Sequence, residues 1–170
     1  MAEKSYPKAE VQKLLDALEV HATEVAGVAE EAQKRAARNS FKAYQHFRNK
    51  TGEFETFSIL IEGRLDHLEG GADPRLQGHF DDLTAVTYKQ LIKTSIKFLW
   101  VLAQGNELPL GTREVFVQEL KTLYDTKKKL AEERYATRLD DDAKRNLNVA
   151  EEILTEIIDK APSLLQFGVK

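Results

Sequence analysis

Residues 74–104 constrain this chain more than any other stretch. PRLQGHFDDLTAVTYKQLIKTSIKFLWVLAQ is the longest apolar-rich run, lies in mid-chain and holds the only tryptophan. Its ends carry helix signals. Asp73 can accept from the first-turn amides, and Pro74 at the first helical position needs no donor. Gly105 is suited to a left-handed helix end. A helix over this span would run ~46 Å at 1.5 Å per residue. Leu76, Phe80, Leu83, Thr87 and Leu91 share one face by the 3.6-residue period. Beyond Leu91 the apolar residues point almost all round, as in a helix buried on several sides. The spacing therefore predicts a central helix whose second half is surrounded and whose first half is more exposed. The polar strip of that second half is Lys89, Lys93 and Lys97, and Trp100 follows one turn on. Trp100 then has two readings: a boundary tryptophan under lysine stems, or a partner-facing anchor with Lys93 and Lys97 beside it.

The other segments repeat the helical period. Val11, Leu15, Leu18, Ala22, Val25, Ala29, Ala32 and Ala36 alternate in steps of four and three, a heptad seam over residues 8–38. Its second half is mostly alanine, whereas a dimeric coiled coil favours large aliphatics there. The seam therefore predicts antiparallel packing inside a bundle. Thr51-Gly52 reads as punctuation, which separates a short helix over 40–49 from a helix over 53–69 with Thr51 as its cap. Phe54, Phe57, Ile61, Leu65 and Leu68 form the stripe of that helix. A fourth helix is predicted over 112–139. Lys127 and Arg134 interrupt its apolar face, so they either snorkel or meet carboxylates from another helix. A fifth is predicted over 141–161, with acidic residues at its start and Pro162 as its stop. Leu164, Leu165 and Phe167 predict that the tail, 162–170, docks on the rest.

These stripes define the fold class as all-α: a single-domain antiparallel helical bundle of about five helices. At 170 residues the chain is long enough to bury a core without staples. With 42% apolar and 31% charged residues it has globular composition. There are no cysteines, which removes disulfides, thiolate zinc ligands and thiol nucleophiles and suits a reducing, cytoplasmic setting. No window is apolar for long enough to span a membrane.

Charge is unevenly placed, although the net charge is only −3. Residues 32–52 contain no acid but six bases: Lys34, Arg35, Arg38, Lys42, Arg48 and Lys50. Phe41, Tyr44 and Phe47 are interleaved. Residues 53–82 reverse the sign, with eight acids against Arg64 and Arg75. Bases with interleaved aromatics can bind phosphates and stack on bases, which makes nucleic acid a candidate partner. Lys34, Arg38 and Lys42 would line one face if their helix were continuous. Equally, the two oppositely charged segments could pack together and pair.

Arg38-Asn39 followed by His46 resembles the Arg-(four to six residues)-His motif of HEPN-type helical ribonucleases. That resemblance implies a dimeric helical bundle with metal-independent RNA cleavage. It covers this motif and the all-α class alone, and here seven residues separate Arg38 from His46. Other catalytic signatures are missing. No two of His21, His46, His67 and His79 stand four apart as helical zinc ligands do. Gly-rich phosphate loops and Gly-x-Ser-x-Gly turns are also missing. The sequence thus assigns no catalytic residue, metal or cofactor. Its leading functional expectation is a non-enzymatic interaction module that self-associates or serves as an adaptor. Nucleic-acid binding through the basic segment is the alternative.

Overall fold

One helix carries the architecture. In the computed structural model, which describes residues 3–36, 41–104 and 112–165, that helix is α3, Pro74–Gln104. It packs against every other long element: α1 (Lys8–Ala36), α2 (Phe41–Leu65), α4 (Thr112–Leu130) and α5 (Asp141–Leu165). A short 3-10 helix, Glu133–Arg138, joins α4 to α5 and also rests on α3. The described residues form an all-α bundle, in which the one extended pairing is a bridge between Tyr6 and Leu68.

α3 separates two apolar clusters. Leu76, Phe80, Leu91 and Phe98 look toward α1 and α2. Ala85, Ile92 and Leu99 look toward α4, the 3-10 helix and α5. Two buried faces on one helix require apolar residues far round its circumference. The first half of α3 is the more exposed one, as expected, with Pro74, Arg75, Asp82 and Val86 in solvent, but it too has a buried face. Leu76, Phe80, Asp81, Thr84, Ala85 and Thr87 are all buried. Polar residues hid this face from a purely apolar count. Thr84 is accommodated because its hydroxyl bonds the Phe80 carbonyl at 3.0 Å and Tyr135 Oη at 2.9 Å.

The seam of α1 is buried within the chain. From Val11 to Ala32 none of its seven residues exceeds 7% exposure, and all belong to the cluster shared with α2 and α3. Its alanine half allows close helix approach, and its large half supplies roughly 1.5–3 kcal/mol per buried aliphatic. A seam committed to its own bundle gives no support to dimerisation through α1.

α2 differs from the prediction. Thr51-Gly52 does not divide it, and the predicted pieces at 40–49 and 53–69 are one helix, Phe41–Leu65. Thr51 is fully buried, and its hydroxyl bonds the Phe47 carbonyl at 2.8 Å, one turn back. A threonine can bond inward in this way as readily as it can cap. The chain leaves α2 through Gly70 and Gly71, at φ 80° and 91°, where a side chain would be strained. There Tyr6 N–H donates to the His67 carbonyl and Glu69 N–H to that of Tyr6, both at 2.9 Å.

The starts of α3 and α5 follow the sequence signals. Asp73 Oδ1 accepts from the Arg75 and Leu76 amides at 3.0 and 3.2 Å, and Asp140 Oδ1 accepts from Ala143 at 2.8 Å. These amides hold both carboxyls below their usual range. Helix ends follow less well. α4 stops at Leu130 instead of 139, because Glu132 is extended (φ −61°, ψ 142°) and the chain restarts as a 3-10 turn. That break delivers Tyr135 into the core with no exposure. α5 continues past Pro162 to Leu165 instead of stopping at 161. A proline so near a helix end forfeits one hydrogen bond rather than a ladder of them. Residues 166–170, most of the apolar tail's end, lie outside the described residues.

Candidate functional site

One buried and one half-buried polar centre and two exposed apolar surfaces are the features that could carry function. The first centre joins α2, α3 and α4. Tyr44, on the inward face of α2, stacks flat on Phe98 of α3, with ring centroids 3.7 Å apart and planes 2° from parallel. Its hydroxyl donates to Glu119 Oε2 on α4 and lies 3.2 Å from Ser95 Oγ. Arg48, one turn beyond Tyr44, donates from Nε to Glu119 Oε1 at 3.0 Å and from Nη2 to Thr122 Oγ1 at 2.9 Å. Each carboxylate oxygen of Glu119 therefore has its own donor. Burial, then the Glu119 charge, pushes the Tyr44 phenol well above its usual range. A phenol held neutral and a carboxylate with both oxygens engaged form a clasp between helices, with no group left poised for proton transfer.

The second centre is Arg134. Its Nη1 donates to Glu62 Oε1 on α2 at 2.6 Å and lies 3.7 Å from Asp81 Oδ1 on α3. Its guanidinium sits 5.0 Å from the Tyr135 ring centroid. Nε lies 2.8 Å from Glu132 Oε2 but lacks hydrogen-bond geometry, so this contact is electrostatic only. Lys127 pairs with Glu151 of α5. Both basic interruptions of the α4 stripe therefore meet carboxylates. Among the described residues no cluster of three or more His, Asp or Glu could hold a metal.

The basic segment does not form one face. α1 ends at Ala36 and α2 begins at Phe41, so Lys34 and Lys42 stand on different helices. Lys34 pairs with Glu30 at 2.9 Å and Arg35 with Glu31 at 2.5 Å, both one turn back on α1. Arg48 turns into the bundle toward Glu119. Lys50 reaches Glu53 at 3.2 Å and Glu24 of α1 at 3.7 Å. Lys42 is exposed, and Arg38 lies outside the described residues. The segment is thus largely paired within the chain, though only Glu53 comes from the acidic stretch expected to supply partners. Of the interleaved aromatics, Tyr44 and Phe47 are core residues and Phe41 packs edge-on to Phe98. His46 is exposed on α2; its proposed companion Arg38 lies in the undescribed stretch.

Trp100 is 63% exposed. Lys93, two turns earlier on that face, lies 3.8 Å from Asp142, and Lys97 is exposed with no ion-pair partner among the described residues.

The outward face of α2 was not anticipated. Ile59 is 70% and Leu60 46% exposed, although they directly precede Ile61, which is fully buried. Gly52, Glu53, Thr56, Phe57 and Leu60 line a shallow recess there. Thr56 bonds the Gly52 carbonyl at 2.9 Å, so its hydroxyl is already engaged. By helical spacing Gln45, Asn49, Gly52, Thr56, Ile59 and Gly63 share this side, and none carries charge. The signal was present in the sequence: a helix with one buried stripe needs Ile61 but has no internal use for Ile59 and Leu60 as well.

Comparison with protein families, curated proteins and solved structures gives no match.

Proposed function

We propose that this chain is a non-enzymatic helical-bundle interaction module that binds a protein partner through the outward face of α2. The observation that supports the reading is the exposure of adjacent Ile59 and Leu60 beside a recess whose one charged lining residue, Glu53, pairs with Lys50. Single exposed aliphatics are ordinary. Two together on one helix face, with small residues one and two turns away, match the surfaces that helices pack against. Neither polar centre competes as a catalytic site: both oxygens of Glu119 are engaged by Tyr44 and Arg48, and Arg134 is held by Glu62 with Asp81 and Glu132 close by. The nucleic-acid alternative is left with Lys42 as its clearest free base. A chain without cysteine suits the reducing cytoplasm, and the module is placed there.

The test is site-specific photocrosslinking in cells of the source. A photoreactive phenylalanine analogue at Ile59 should give discrete protein adducts that the same group at Lys144, exposed on α5, does not. Equal labelling from both positions, or none from Ile59, would count against the proposal.

A further inference from the structure

Resting on that reading, we infer that the occupant of the α2 face is the same face of a second copy, packed antiparallel with Thr56 opposite its own counterpart.

The first argument is shape. Gly52 and Leu60 lie four residues to either side of Thr56. A twofold axis through Thr56 therefore sets Leu60 of each copy over Gly52 of the other. Gly52 is the floor of the recess, and a side chain there would meet nothing of its own chain within 4 Å. The recess is thus open outward. Leu60 is the largest aliphatic on its rim. Its counterpart fills the recess at both symmetry-related places, and a surface that complements itself in this way closes as a dimer.

The second argument is charge, and it fixes direction. The start of α2 carries Lys42 and His46; beyond its end lie Asp66 and Glu69. All four are exposed, and none has an ion-pair partner among the described residues, although most charges near them do. His46 and Asp66 are each ten residues from Thr56. An antiparallel pair therefore brings Lys42 and His46, at the start of α2, over the end that Asp66 and Glu69 follow, twice over. A parallel pair would set base against base and acid against acid. The sign reversal between residues 32–52 and 53–82 thereby acquires a use that pairing inside the chain does not supply.

The chain has no cysteine, so single introduced thiols report cleanly. Thr56→Cys should form a disulfide-linked dimer on mild oxidation, whereas Lys144→Cys should not. A mixture of Gly52→Cys and Leu60→Cys should give mostly the mixed dimer. In sedimentation equilibrium, Lys42→Glu or Asp66→Lys alone should weaken association by about tenfold, because each acts at two places in the pair. Lys42→Glu with Glu69→Lys should restore it. Circular dichroism checks that each variant folds. A monomer at about 100 µM without a Thr56→Cys disulfide would overturn the second copy as occupant. So would a dimer indifferent to both charge reversals and to Thr56→Cys. Ile59 adducts with a different protein would then leave the interaction reading standing without the dimer, whereas loss of the Ile59 adducts as well would remove both.

Discussion

Arg48 of α2 and Glu119 of α4 meet at 3.0 Å, seventy-one residues apart in sequence, with only 4% of Glu119 exposed. Tyr44 occupies the second oxygen. Removing the carboxylate leaves a partly buried guanidinium unpaired. Glu119→Ala should therefore cost about 3–5 kcal/mol, and Glu119→Gln less, about 1–3 kcal/mol. Urea denaturation read as a midpoint shift at constant slope measures both. Adding Arg48→Met to Glu119→Ala should recover part of the loss, because the orphaned charge goes with it.

Glu55 has the opposite character. Burial raises its carboxyl above the usual range; Arg48 opposes the shift and Asp125 adds to it. The folded chain thus holds this proton more tightly than the unfolded chain does. The stability Glu55 contributes is complete below its ordinary value of 4.5 and is lost as pH rises through the higher folded value. Glu55→Gln should therefore be more stable than the parent at pH 7, with the gap closing below pH 4.5. Thermal melts across pH 3–8 would show it, and a gap independent of pH would refute this account.

Two glycines should respond in opposite directions to alanine. Gly27 is exposed in mid-α1, and a side chain there would touch nothing within 4 Å. Gly27→Ala should stabilise by about 0.5–1 kcal/mol, a rise in Tm of roughly 1–4 °C. Gly71 sits at φ 91°. Gly71→Ala should lower stability by about 1–2 kcal/mol through strain alone.

Thr87 is 1% exposed, and its hydroxyl has no hydrogen-bond partner among the described residues. A buried hydroxyl without a partner is a cost to folding, and valine has nearly the same shape. Thr87→Val should be neutral or should stabilise by up to about 1–3 kcal/mol. A destabilised variant would mean that the hydroxyl has a partner, such as an internal water.

The α1 seam was legible from Val11 to Ala32, as was the cap at Asp73. Both depend on spacings of a few residues, which helical geometry fixes wherever the helix finally lies. The α2 helix was less so. Thr51 and Gly52 have local preferences for a break, and only packing of Phe47, Thr51 and Phe54 against α1 and α3 overrides them. The break at Glu132 was hidden for a related reason. The stripe runs on through Arg134, and it took Tyr135 reaching Thr84, with Arg134 reaching Glu62, to redirect the chain.

The sequence by itself determined that this chain is helical, where most helices begin, and which faces are apolar, because periodicity is a property of each segment alone. Tertiary structure decided what each charge meets. Arg48 could have faced a phosphate or a carboxylate, and nothing within its own helix distinguishes the two. The outcome depends on Glu119 arriving from another helix at hydrogen-bond distance, in a place where burial of the carboxylate weakens screening by water. The same holds for Ile59 and Leu60: their apolar character is written in the chain, but their exposure exists only once α1 and α3 have covered the opposite side of α2.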